Sequence, residues 1–189
     1  MLVTKEIIPK ETAIEEKKKR LEPRFLGLKI FSYRVVNDRK VYVPYAKVGF
    51  DYQIQRKGPG GIGRYCKTGT IDIIVDLCNG NAFSLDSDVD LGCVKTTCKN
   101  RDGSVLHPIY DQTESIKKAT ACARWKILFV IYRVAAILEM KEYSLFYRPM
   151  WEIELKIKGE KKWKYLAPTD GFDVQSESIK HLKAGPNKF

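Results

Sequence analysis

The chain has 189 residues, 44% hydrophobic and 30% charged, a balance that fits one or two globular domains with a core large enough to stand without disulfides or a structural metal. Against 23 Asp and Glu stand 34 Lys and Arg, and the net charge of +11 favours acidic partners. No apolar stretch reaches the roughly 20 residues of a membrane span or forms a signal peptide, and five cysteines at irregular spacings predict reduced thiols in a cytoplasm, a fragment of a surface protein being the alternative.

In chain order, a mostly solvated helix is predicted over residues 12–21, where Glu15 and Glu16 stand four residues before Lys19 and Arg20. A strand over 25–36 follows, closed by Asn37-Asp38. Residues 42–52 alternate strictly: Tyr42, Pro44, Ala46, Val48, Phe50 and Tyr52 share a buried face, with Lys47 and Asp51 on a wet one.

Residues 56–69 read as a glycine-rich hairpin loop. Within it, the run from Gly61 to Thr68 resembles a phosphate-binding loop, yet Cys66 replaces the glycine required before Lys67 and the segment joins two strands instead of entering a helix. A strand over 70–77 then runs into an Asn79-Gly80 turn. The acidic run from Asp86 to Gly92 imitates a calcium loop, but its glycine is one place late and Thr97 stands where the bidentate Glu belongs. A solvated loop is the expectation there.

Cys93, Cys98 and His107, with Cys66 and Cys78 upstream, have the wrong spacing for structural zinc. The two histidines, His107 and His181, lack a neighbouring nucleophile or orienting acid, so neither catalysis nor a metal or cofactor is expected.

A long helix is predicted after Asp111, Thr113 or Ser115 as cap, with Ile116, Ala119, Ala123, Ile127, Val130, Val134 and Ile137 on one stripe. Beyond Trp125 its other side is apolar too, with Phe129, Tyr132 and Ala136, which predicts a helix buried on the sheet with Lys126 and Arg133 snorkelling out. Residues 147–157 repeat the alternation, with Tyr147, Pro149, Trp151, Ile153, Leu155 and Ile157 inward and Arg148, Glu152, Glu154 and Lys156 outward. A short strand over 162–167 leads to Asp170-Gly171.

The paired Tyr-x-Pro strands, each followed by a shorter strand and a glycine turn, indicate an internal duplication. The fold class predicted is α+β, two similar units of a helix plus antiparallel strands over residues 1–110 and 111–189, packed as one body around one long buried helix. This arrangement resembles the PepSY family of small binding or inhibitory modules over residues 41–85 and 113–175. The resemblance implies a binding role; its shared positions are core and turn positions, so it assigns no functional residue.

The charge is segregated. Ten bases lie between residues 24 and 67 against only Asp38 and Asp51, a local +8, whereas residues 72–90 hold five aspartates and no base. Arg34, Arg39, Lys40, Lys47, Arg56, Lys57, Arg64 and Lys67, interleaved with Tyr45 and Tyr65 as exposed platforms, form the candidate binding surface. Proline inside each long strand further suggests exposed edges at Pro44 and Pro149, beside which a partner strand could add. The function expected is a non-enzymatic binding or regulatory module for a protein or peptide; the alternative is nucleic-acid binding through the basic stretch.

Overall fold

The computed structural model describes residues 1–21, 24–25, 28–29, 34–57, 64–85, 91–95, 103–131, 133–156, 162–170 and 182–183. The elements are β1 (Leu2–Thr4), α1 (Lys10–Leu21), β2 (Arg24–Phe25), β3 (Leu28–Lys29), β4 (Arg34–Lys57), β5 (Arg64–Asp76), β6 (Ala82–Leu85), β7 (Cys93–Lys95), β8 (Ser104–Val105), α2 (Gln112–Trp125) with a π-helical turn (Lys126–Ile131), β9 (Ala136–Lys156), β10 (Lys162–Pro168) and β11 (Leu182–Lys183). The fold is α+β with mostly antiparallel pairing. Two compact units interleave along the chain: Met1–Val43, Gly92–Leu106 and Tyr147–Phe189 form the first, Pro44–Leu91 and His107–Phe146 the second.

In the first unit, β9 and β10 pair antiparallel from Met150 opposite Pro168 to Lys156 opposite Lys162. Ile153, Leu155 and Tyr165 form a buried cluster against which Ile14 and Leu21 of α1, Val35 and Trp151 pack. Helix α1 buries only Ala13 and Lys17, in keeping with its charged sequence. The intervening face of β9 is not wet throughout. Arg148 is buried and donates from Nε and Nη2 to the two carboxylate oxygens of Asp170 at 2.6 and 2.7 Å, while the Thr4 hydroxyl donates to Asp170 at 2.9 Å. The geometry is bidentate, which offsets the desolvation of both charges.

In the second unit, β4 and β5 form a long ladder from Tyr45 opposite Asp76 to Lys57 opposite Arg64, and β6 adds beside Asp72 to Val75. The inward residues Ala46, Val48, Phe50, Tyr52 and Ile54 meet Ile71, Ile73 and Val75. Ala119, Ala123 and Ile127 close this core from α2, whose small residues allow the helix to lie close on β5 and β6. Asp111 caps α2, its carboxylate accepting the Glu114 N–H at 2.8 Å. The expected turn forms after β5: the Asp76 carboxylate accepts the N–H groups of Cys78 and Asn79, and Gly80 has φ +73° under Tyr110 and Lys118. Only a residue without Cβ suits that position.

Several expectations change in extent. The hairpin loop is shorter than 56–69, because the ladder continues to Lys57 and Arg64; residues 58–63 lie outside the described residues. Of the strand over 25–36, the described parts are Phe25 in β2, β3 and the start of β4. The long helix packs on the sheet but ends at Ile131, so Val134 lies beyond it and Ile137 belongs to β9. Arg133, at φ +56°, stands between helix and strand, a left-handed conformation that cannot continue the helix.

The prolines do not mark exposed edges. Pro44 and Pro149 are buried, β4 runs between β9 and β5, and β9 between β10 and β4. Each proline instead occupies a change of ladder partner. β4 pairs with β8 up to Tyr42 and with β5 from Tyr45; β9 pairs with β1 at Tyr147 and with β10 from Met150. Each proline accepts one half of a hydrogen-bonded pair, Pro44 from Leu77 N–H and Pro149 from Thr169 N–H, and the reciprocal half that its missing N–H cannot make is replaced: the Leu77 carbonyl accepts from Ile109 and Tyr110, and the Thr169 carbonyl from Ile7 and Ile8.

Candidate functional site

Of the basic residues singled out by composition, Arg39, Lys40 and Lys47 each lie beside a carboxylate of the same chain. Arg39 donates to both carboxylate oxygens of Glu152 at 3.1 and 2.9 Å. Lys40 pairs with Glu6; burial alone would lower its pKa, but that carboxylate outweighs it and raises the pKa. Lys47 lies 2.9 Å from Asp72 and 3.9 Å from Glu142. Arg34 and Lys67 are exposed. For Arg56, Lys57, Arg64 and Tyr65 the ladder gives positions only: Arg56 opposite Tyr65 and Lys57 opposite Arg64.

Tyr45 is not an exposed platform. It is 3% exposed and its ring stacks on Phe146 with centroids 5.8 Å apart. Around it Val41, Val43 and Ala46 are also buried, so this stretch of β4 is covered on both faces and strict alternation misassigned the tyrosine.

A different surface emerges in the second unit. Trp125 is 58% and Phe129 61% exposed, their ring centroids 6.0 Å apart, and Val130 and Ile131 are exposed beside them. The helical period explains the inner side: Ala119, Ala123 and Ile127 recur every four residues and are buried, while Trp125 and Phe129, also four apart, lie outside. The all-round apolar pattern predicts burial for Phe129 and Val130, and both are exposed. That same feature, on a helix covered from one side only, leaves an apolar patch in water.

The adjoining start of β9 presents a second feature. Ala136 and Leu138 pack on the core, whereas Ile137 is 66% exposed and Met140 and Leu145 are also exposed. From Glu139 to Glu142 every residue is exposed. β10 pairs with β9 only from Met150 onward and β1 only at Tyr147, so among the described residues the far edge of residues 136–146 carries no strand. Lys141 reaches Asp51 on β4 at 3.0 Å, a hydrogen-bonded pair that raises its pKa.

Two of the described thiols are held protonated by burial. Burial and then the charge of Asp76 push the Cys78 thiol up from its ordinary 9.0 to about 12, and its Sγ–H points to the His107 carbonyl. Cys122 is also raised by burial. Cys66 is exposed and accepts from the Gln53 amide at 3.0 Å. Cys98, His181 and residues 86–90 lie outside the described residues, and among the described ones no group of three His, Cys, Asp or Glu is placed to hold a metal. No described helix is long and apolar enough to cross a membrane. The chain matches no family model, no curated protein and no solved structure.

Proposed function

We propose that the protein is a non-enzymatic binding module that captures an extended peptide or protein segment at the edge of β9, residues 136–146. One observation carries this reading: a strand edge without a partner among the described residues, lined by exposed Ile137, Met140 and Leu145. Such an edge offers unpaired N–H and C=O groups for main-chain affinity, and alternate side chains for selectivity. The exposed charges Glu139, Lys141 and Glu142 discourage indiscriminate pairing, and Glu139, for which no ion pair is formed among the described residues, would favour a partner base.

The duplication and the PepSY-like reading belong to the same proposal. Their support is the equivalent bonding of Pro44 to Leu77 and Pro149 to Thr169, opposite the end of the return strand in each case. Selection from a displayed library of random peptides, followed by amide hydrogen exchange on the complex, tests the binding mode. Strand addition protects alternate amides within residues 136–146. Binders that protect only amides elsewhere would refute it.

A second reading, nucleic-acid binding, rests on the far end of the β4–β5 hairpin, where Lys57 faces Arg64 across the ladder beside Arg56. Like charges directly opposite repel unless an anion lies between them. A salt titration with random single-stranded RNA and DNA decides it: a steep loss of affinity that flattens in Lys57→Gln/Arg64→Gln supports the reading, and no binding at low salt removes it.

A further inference from the structure

We infer that the outer face of the α2 helix end docks the protein on an anionic lipid bilayer. This surface is distinct from the β9 edge, and the inference goes beyond the proposed peptide capture. Four large apolar side chains, Trp125, Phe129, Val130 and Ile131, stand exposed within seven residues of chain, on a helix whose opposite side is fixed to the sheet through Ala119, Ala123 and Ile127. Their exposure is therefore built into a packed element and does not come from a loose terminus.

Beyond Glu114, along the helix and the turn after it, the charged residues have one sign. From Ser115 to Leu138 the sequence contains no Asp or Glu but has Lys117, Lys118, Arg124, Lys126 and Arg133. Lys118 is spent over the Tyr110 ring, 4.4 Å from its centroid. Among the described residues no carboxylate lies within salt-bridge distance of Arg124, Lys126 or Arg133. The contrast with Arg39, Lys40 and Lys47, each beside a carboxylate of its own chain, is direct.

Exposed Trp and Phe flanked by Lys and Arg at one helix end is the chemistry of a segment lying in a membrane interface. Aromatic rings enter the boundary between headgroups and acyl chains while bases pair with phosphate. A protein with an acidic surface could meet the same bases, but it would need pockets matched to Trp125 and Phe129. A bilayer accepts side chains of any shape, and no complementary groove has to be postulated.

The test uses the full chain with vesicles of phosphatidylcholine alone and of phosphatidylcholine mixed with phosphatidylglycerol. Co-sedimentation with the anionic vesicles only is expected, with quenching of tryptophan emission by brominated lipid that is lost in Trp125→Phe. Trp125→Ala/Phe129→Ala should weaken binding about tenfold or more, and Arg124→Gln/Lys126→Gln should weaken it and flatten its salt dependence. Circular dichroism checks the fold of each variant, and quenching in the unaltered protein needs no variant. The inference is overturned by absence of anionic-vesicle binding at low salt, or by equal binding of Trp125→Ala/Phe129→Ala. It is also overturned by a dimer that this variant dissolves, or by binding to poly-glutamate and not to vesicles with the same dependence on Trp125 and Phe129.

Discussion

The basic run of β4 and the basic run around the end of α2 carry the same sign of charge to different ends. Along β4, Arg39, Lys40 and Lys47 each find a carboxylate of the same chain, on Glu152, Glu6 and Asp72. Around α2, Arg124, Lys126 and Arg133 surround exposed Trp125 and Phe129 and have no described carboxylate within reach. The excess of charge along the sequence points to the first run, whereas the tertiary ion pairs leave the second available to a partner. Counting bases finds where charge is; only the fold shows where it is unspent.

The largest effect expected from breaking an ion pair of this kind is at Arg148. Arg148→Ala leaves the buried Asp170 carboxylate without its bidentate donor and should cost about 3–5 kcal/mol in chemical denaturation. The exposed Arg39→Ala should cost under about 1 kcal/mol, less at high salt. Equal losses would break the distinction between a buried structural pair and a surface one.

The two sides of α2 give the next contrast. Ile127→Ala opens a cavity in the core and should cost about 2–5 kcal/mol. Phe129→Ala, two residues on, should change stability by less than about 0.5 kcal/mol while removing binding surface. A thermal melt of both variants sharpens the assignment of inner and outer faces.

Much of this architecture is legible in the sequence, for reasons that separate the successes from the failures. Alternation correctly places Ala46, Val48, Phe50 and Tyr52 on the inward face of the second unit, because a half-buried strand must repeat every second residue. The Asn79-Gly80 turn is equally legible, since local backbone geometry demands those residues, and the α2 cap is narrowed to Asp111, Thr113 or Ser115, of which Asp111 serves. Tyr45 and Arg148 were misplaced because burial on the second face depends on segments remote in sequence, such as the partners Phe146 and Asp170. The apolar pattern at Phe129 and Val130 points to the interior. A helix apolar all round belongs inside only if something covers every side, which no periodicity can report.

A smaller effect concerns Cys78. Its folded pKa of about 12 lies above its ordinary 9.0, so the unfolded chain ionises first as pH rises. The contribution to stability is fully present below about 9 and is lost as pH rises from there toward about 12. Cys78→Ala should remove that part of the alkaline slope. At pH 8 iodoacetamide should alkylate exposed Cys66 well before Cys78, as mass spectrometry of timed samples would show; a faster Cys78 would contradict its burial.

The central claim is that affinity for an anionic bilayer resides in the exposed apolar and basic end of α2 and not in the paired bases Arg39, Lys40 and Lys47 of β4. Affinity for phosphatidylglycerol-containing vesicles, compared between Trp125→Ala/Phe129→Ala and Arg39→Gln/Lys40→Gln/Lys47→Gln, tests it most directly. The account predicts that the first variant loses binding by about tenfold or more while the second changes little. The opposite order, with the α2 variant unaffected and the β4 variant released, would contradict it.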